Sequence, residues 1–491
     1  MATRRALFGL SLLSLAVVGP IFGIDYHVGP GQALAAVGDV PWEALVAGDR
    51  IYIHWRAAAY QEKWVINAQG TAQAPILVSG VPGPGGERPV IDGRDATTRT
   101  ELDYWNEARG IIKIGGSSIP GDGLPGYVVV ENLEIRSGRP PFTFTDDAGT
   151  VQAYADNAAS IYVEKAAHLV VRNCELHDSG NGLFVGAFDG QTEDVLIERS
   201  YIHDNGNGGS IFHHNTYTSS IGIVYQYNRF GPLRPGADGN NLKDRSAGLV
   251  VRYNWIEGGN RQLDLVEAND APAISHPDYR ATHVYGNVLI EPDGAGNSQI
   301  AHYGGDGGDP SQYRKGTLYF YNNTMVSTRS GNTTLLRLST NDEAADVRNN
   351  ILYVTAPGDR LAMLDAAGQL TLRHNWTKPG WVATHGTLTG TLDDDGSGVT
   401  GPAPGFVDEG TQDYHLASDS DAVDAGTVLH PDVLPDHPVM RQYLRHTQDE
   451  PRPLDPTLDI GAFEYCATNC ALIFADGFES GNTSAWTTTV P

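Results

Sequence analysis

Cysteine is nearly absent from this 491-residue chain, with Cys174, Cys466 and Cys470 the whole complement. Three cysteines so spaced form no metal-binding pattern and no disulfide framework. Cys466 and Cys470 are close enough to bridge in an oxidising compartment, which leaves Cys174 for the core. Basic residues are scarce too: 33 Lys and Arg stand against 59 Asp and Glu, a formal net charge of −26. Without a basic field to neutralise phosphates, nucleic acid is excluded as a partner, whereas a local Lys/Arg cluster still allows an anionic polymer. Long apolar runs are missing apart from Ala6 to Val18, which is too short for a comfortable membrane span. That run follows Arg4-Arg5 and leads into small and turn residues up to Gly23, so residues 1–23 read as a secretory signal peptide. The mature chain is therefore expected to be monomeric, without a membrane span, and extracellular or periplasmic. Helical periodicity is the last absence, and it turns attention to strands and turns.

What is present is a repeat. Tyr127 to Ile135 carries Val-Val-Val-Glu-Asn-Leu-Glu-Ile, and His168 to Leu176 carries Leu-Val-Val-Arg-Asn-Cys-Glu-Leu. The pattern returns at Asp194 to Ile202, Ile221 to Phe230, Leu249 to Ile256, Thr282 to Ile290, Leu318 to Val326, Val347 to Val354 and Leu370 to Trp376. From Asn228 it places Asn254, Asn287, Asn323, Asn350 and Asn375 roughly 25 to 36 residues apart, within the range of solenoid repeats. A propeller blade needs four strands in a longer period, so one coil per repeat fits better. An Asn ending a strand tolerates the left-handed backbone of a sharp corner, and stacked amides can form a ladder along the axis. The 58 glycines and 28 prolines supply the turns.

The expected organisation runs from the signal peptide to an N-terminal cap and first coils over 24–120. In that cap, Gly31 to Val46 reads as a short amphipathic helix covering the open end of the solenoid. A core carrying the working face follows over 121–391, then C-terminal coils and a closing strand over 392–465, and a Cys-containing tail over 466–491. Asp393-Asp394-Asp395-Gly396-Ser397-Gly398 reads as a solvated acidic turn, with a calcium loop as the alternative.

From Asp25 to Tyr465 the chain resembles the right-handed parallel β-helix proteins of the pectate-lyase-like superfamily. The resemblance rests on the repeat, on the entry Val28-Gly29-Pro30-Gly31 and on the closing Leu458-Asp459-Ile460-Gly461-Ala462-Phe463-Glu464-Tyr465. It extends distantly to the chondroitinase-B/alginate-lyase group. What it implies is an all-β, single-stranded right-handed solenoid exported to act on a polysaccharide, itself expected to be acidic.

The charged strands locate the chemistry. In Leu242-Lys243-Asp244-Arg245 and Leu263-Asp264-Leu265-Val266-Glu267, inward leucines turn Lys243, Arg245 and Asp264 outward. Neighbouring coils add His213-His214-Asn215-Thr216-Tyr217, Gln299-Ile300-Ala301-His302-Tyr303 and Leu336-Arg337-Leu338. Five coils at about 4.8 Å make a face roughly 20 Å long, enough for a few sugars. β-Elimination of a uronate needs a carboxylate neutraliser, a base and an acid. Lys243 suits the base, Arg245 or Arg337 the neutraliser, and His214, His302 or Tyr303 the acid. The resemblance implies a Lys on one coil and an Arg about one coil later; here Arg261 falls slightly early and Asp264 stands nearby. His213, Asn215, Tyr217, Asn241, Arg261, Glu267 and Arg337 are the expected substrate-binding residues, with Phe212, Tyr225, Trp255 and Tyr303 as further aromatics for sugar stacking. Two alternatives stand beside elimination. One is glycoside hydrolysis by Asp264 with Asp244 or Glu267, weakened because Asp244 falls on the inward phase. The other is a non-catalytic carbohydrate-binding solenoid. No cofactor is required and no metal site is assigned; Asp264, Glu267 and Asp270 leave room for calcium.

Overall fold

The computed structural model describes residues 23–466. The expected signal peptide and the tail beyond Cys466 therefore lie outside the described residues, apart from Gly23 and Cys466 themselves. Cys466 is disulfide-bonded, its expected partner Cys470 being among the undescribed residues, while Cys174 is free and buried.

Three long sheets wrap one core: two of thirteen strands and one of eleven, running the length of the solenoid. Within them the pairing is parallel except for one added strand, Val151–Ala153 beside Thr143–Thr145. Each coil passes from the first sheet round a sharp corner to a short strand of the third sheet, and then through a loop to the second. The result is a parallel β-helix, wound in the right-handed sense that connections between parallel strands take.

The alternation in the repeats explains the first sheet. In Gly126–Glu131 and Ala167–Arg172 every second residue is buried. Val128, Leu169, Val195, Ile223 and Leu249 lie in register on successive strands, as do Val130, Val171, Ile197, Tyr225 and Val251. Like side chain stacks on like, and each buried aliphatic contributes about 1.5–3 kcal/mol. Stability accumulates coil by coil through such nearest-neighbour contacts.

The asparagine ladder is present, but its residues do not hold the left-handed conformation. The preceding residue does: Tyr227, Tyr253, Asn322, Asn349 and His374 all have φ near +50° to +60°. That bend turns the following Asn side chain inward. There the backbone amide and Nδ2 of Asn254 both donate to Oδ1 of Asn287, at 2.9 and 3.0 Å. The same pair of bonds joins Asn287 to Asn323 and Asn323 to Asn350. Each ladder amide also donates to a neighbouring strand carbonyl, so the buried corners keep their polar groups paired.

The expected capping helix is corrected to two single 3-10 turns, Val37–Asp39 and Trp42–Ala44. Pro41 lacks the amide a continuous helix would need, and Asp39 takes the amides of Ala35 and Ala36 instead. Trp42 stacks on Trp64 at 5.0 Å, joining this segment to the core. At the other end the sheets continue past Leu392: Thr391–Asp394 and Val399–Thr400 add to the first and third sheets. Asp393 and Asp395 of the acidic turn pair with Arg373. The segment expected to close the solenoid, Leu458 to Tyr465, forms no strand. It lies against the side of the β-helix, where the Ala462 amide donates to Thr324 and Asn322 donates to the Asp459 carbonyl.

Candidate active site

The second sheet carries one outward row across its middle coils. In register order it runs Phe184, Tyr217, Lys243, Asp264, His302, Arg337. Between these positions the chain turns Leu242, Leu263, Leu265 and Leu338 into the core. Asp244 shares their inward phase and is fully buried. It accepts from Thr218, from the Ser246 amide and hydroxyl, and from Arg314, all satisfied inside the coil.

The row does not form an exposed surface. Lys243, Arg245 and Asp264 are all buried, because the loop between Gln299–Tyr303 and Thr317–Tyr321 folds over them. Three anchors hold that loop. Ser339 accepts from the Gly305 amide at 2.8 Å and donates to its carbonyl at 2.9 Å. Gly304 has φ +129°, a conformation that favours glycine, and a Cβ there would come within 2.6 Å of the Ser339 hydroxyl. Glu267 accepts the amides of Asp306 and Gly307. Farther on, the fully buried Arg314 donates to the carbonyls of Val266 and Ser246 at 2.8 Å each.

The loop delivers a carboxylate that the sequence pattern did not reveal. Asp306 accepts from Lys243 Nζ at 2.6 Å through one oxygen and from Arg245 Nη2 at 2.8 Å through the other. Lys243 also donates to Asp264 at 2.5 Å, and Arg245 lies 3.2 Å from Glu267. Burial alone would raise the Asp264 pKa, but the hydrogen bond with His302 and the charge of Lys243 outweigh it and hold the group well below the ordinary carboxylate range. For Asp306 too, burial is overcome by the two cations and the pKa is lowered. Both carboxyl groups are therefore anions at neutral pH.

Beside this cluster lies a cleft of about 390 Å³, lined among others by Phe212, His214, Tyr217, Lys243, Arg245, Arg261, Asp264 and Asp306. Phe212 is 73% exposed at the lip. His214 is buried, and burial, reinforced by nearby Lys243, pushes its pKa down to about 3. Its Nδ1 accepts the Asn240 amide at 2.9 Å, which leaves Nε2 carrying the single proton of a neutral ring. Tyr217 accepts from Arg245 Nε at 3.0 Å.

Several expected site residues fall elsewhere. Tyr303 is wholly buried, facing inward in register with Leu265 and Leu338. Tyr225 and Trp255 are also buried, the latter stacked on Tyr414. Asn215 and Asn241 belong to a second interior amide ladder, where Asn205 donates to Asn215 and Asn215 donates to Asn241. His213 points away from the cleft towards Asn207. Glu267 anchors the loop and does not line the cleft. His302 lies behind Asp264, between Oδ1 at 2.9 Å and the Ser339 hydroxyl at 2.9 Å. That Ser–His–Asp connectivity resembles a nucleophilic triad. The Ser339 oxygen, however, is enclosed by the Gly305 amide and by the carbonyls of Tyr303 and Gly305, and it serves as the loop's anchor. Arg261 lines the cleft and donates to Gln299 at 3.0 and 2.7 Å. Arg337 stands one coil beyond His302.

No three His, Cys, Asp or Glu side chains among the described residues group as a metal site. Asp264 and Glu267 face cations, and Asp270 caps the helix Ala271–Ser275.

No family model matches the chain, and no curated protein does. Among solved structures it is similar to pectate lyase Pel9A, at 13% identity and TM-score 0.48 over 90% of this chain and 96% of that one. An alginate lyase from Paenibacillus sp. gives 15% identity and TM-score 0.43, covering 67% and 92%. A lacto-N-biosidase from Eubacterium ramulus gives 11% identity and TM-score 0.40, covering 75% and 67%.

Proposed function

We propose that this protein is a polysaccharide-degrading enzyme that cleaves a uronate-containing polymer by β-elimination. The single observation that carries the reading is the grip of Lys243 and Arg245 on one carboxylate, Asp306, at the edge of a sugar-sized cleft. Two cations arranged on opposite oxygens of one carboxylate are what a uronate needs for its charge to be neutralised, and that neutralisation acidifies the adjacent C–H. In this reading the substrate carboxylate displaces Asp306 and takes its two partners. Arg245 then carries the neutralising charge, while Lys243, released from Asp306, gives its ammonium proton to solvent. As the free amine it accepts the C–H proton, the electron pair forming the new C=C bond as the glycosidic C–O bond breaks. Tyr217, on the same face, donates to the departing glycosidic oxygen. Phe212 and Tyr217 offer ring faces to the sugars.

Hydrolysis by paired carboxylates needs one protonated acid whose pKa is raised. Asp264 and Asp306 are both held low, and Asp244 is sealed inside the coil. Elimination therefore fits the cluster better. The test is the appearance of unsaturated uronate ends, read by ultraviolet absorbance, with wild type and Lys243→Ala. Formation by wild type and loss in the variant support the reading. Saturated products, with new reducing ends but no unsaturated uronate, would overturn it.

A further inference from the structure

The outward row has a second cationic position, and its spacing says which uronate polymer fits. We infer that Arg337, three coils from Lys243, forms a second carboxylate-binding subsite, with Arg261 between it and the first cleft, so that the substrate is a run of contiguous uronates lying parallel to the solenoid axis. This inference rests on the proposed carboxylate role of Lys243 and Arg245.

Charge balance separates this position from the other cations of the row. Lys243, Arg245, Arg314, Arg329 and Arg452 are all buried or nearly so, and each lies within ion-pair distance of a carboxylate. Arg337 is partly exposed and has no hydrogen bond or ion pair among the described residues. Arg261 spends two donors on the neutral Gln299 amide oxygen and approaches Asp264 only at 3.9 Å. Burial lowers the Arg261 pKa, and the positive charge of Arg337 lowers it further. Asp264, Asp306 and Asp365 act on Arg261 from a distance, yet among the described residues no carboxylate comes within hydrogen-bond reach of either guanidinium, in a chain of net charge −26. An anionic ligand supplies the missing partner.

The register fixes the distance. Lys243, Asp264, His302 and Arg337 occupy four successive coils, so the first and last lie about 14 Å apart at the usual strand spacing. One coil advances by about as much as one pyranose in an extended chain. The two cationic positions therefore match the carboxylates of sugars n and n+3. A chain of threefold symmetry presents those two residues on the same side. A strictly alternating copolymer, with a uronate at every second sugar, cannot place uronates at both positions, because n and n+3 differ in parity. Homopolymeric uronates satisfy both.

The test is affinity electrophoresis of wild type and of Arg337→Gln through gels containing a homopolymeric uronate, its methyl-esterified form, or an alternating uronate–hexosamine polymer. The expected result is strong retardation of wild type by the homopolymer, loss of retardation on esterification, and at least fivefold weaker binding by Arg337→Gln. Binding of the alternating polymer should be weaker and unchanged by the substitution. Arg261→Gln should weaken homopolymer binding in the same direction. If Arg337→Gln and wild type are retarded equally by the homopolymer, the second subsite is refuted while the first stands. If no uronate polymer retards wild type, the inference falls together with the carboxylate role of Lys243 and Arg245. The thermal melt of Arg337→Gln should match wild type, since that side chain has no hydrogen bond or ion pair to lose, whereas Arg261→Gln gives up two hydrogen bonds to Gln299 and should melt slightly lower.

Discussion

If the protein works as proposed, replacing Asp306 by Asn should tighten its binding of a uronate polymer. Asp306 occupies the two cations that a substrate carboxylate must reach, at 2.6 Å from Lys243 and 2.8 Å from Arg245. Hydrogen bonds between charged partners contribute about 1.5–3 kcal/mol each when buried. The Asp306 side chain keeps 35% of its exposure, so solvent screening reduces the pair to about 1–2 kcal/mol in total. Removing that competition should lower KM for a uronate polymer by about 5- to 30-fold. Fold stability should fall by no more than about 1–2 kcal/mol, because Lys243 keeps Asp264 and Arg245 keeps Glu267. The loop itself remains tied by Ser339, Glu267 and Arg314, which do not involve the Asp306 carboxylate. The assay is initial rate against polymer concentration, read as unsaturated ends. A collapse of kcat in Asp306→Asn would show that Asp306 takes part in the chemistry, and an unchanged or higher KM would show that it does not occupy the substrate's place. Either result refutes the reasoning.

Other consequences are open to measurement. Lys243→Ala should abolish turnover and lower the melting temperature, because Asp264 loses a buried partner at 2.5 Å; breaking such a pair costs about 3–5 kcal/mol. Retained turnover in that variant would exclude Lys243 as the base. Asn287→Ala should destabilise by about 2–4 kcal/mol, since Asn254 loses its acceptor and two strand carbonyls lose their donor; denaturant unfolding would show it. Glu291 and Glu464 are each pushed up to about 7, first by burial and with nearby arginines opposing. Their folded pKa exceeds the ordinary value of 4.5, so the folded state holds more protons between about pH 4.5 and 7. Stability from these groups should fall as pH rises through that window, and Glu291→Gln should flatten the slope of melting temperature against pH. A steeper slope in the variant would contradict the assignment.

The solenoid was legible because its signal is local and repeated. Alternating aliphatics with an Asn at a fixed offset recur from Asn228 to Asn375, and the structure stacks those very asparagines. The row of outward residues could also be read, since a period of two places Lys243, Asp264, His302 and Arg337 on one face once the leucines between them are turned inward. Burial on that face could not be read, because it comes from a loop whose residues follow no period. Asp306 sits in Gly304-Gly305-Asp306-Gly307-Gly308, and only the glycine density hints at a tight cover over something. Asn215, Asn241 and Tyr303 were misplaced for a related reason. Polar residues beside a charged strand invite a functional reading, yet a narrow β-helix needs interior amides at its corners to pair backbone groups. The N-terminal helix failed where Pro41 outweighed an apolar pattern.

The most direct measurement of the central claim follows ultraviolet absorbance while purified protein acts on homopolymeric uronates, with reducing ends counted in the same samples. The expected result is an absorbance rise that keeps pace with new reducing ends, in wild type and in Asp306→Asn, and none in Lys243→Ala. New reducing ends without absorbance would contradict it and assign cleavage to hydrolysis.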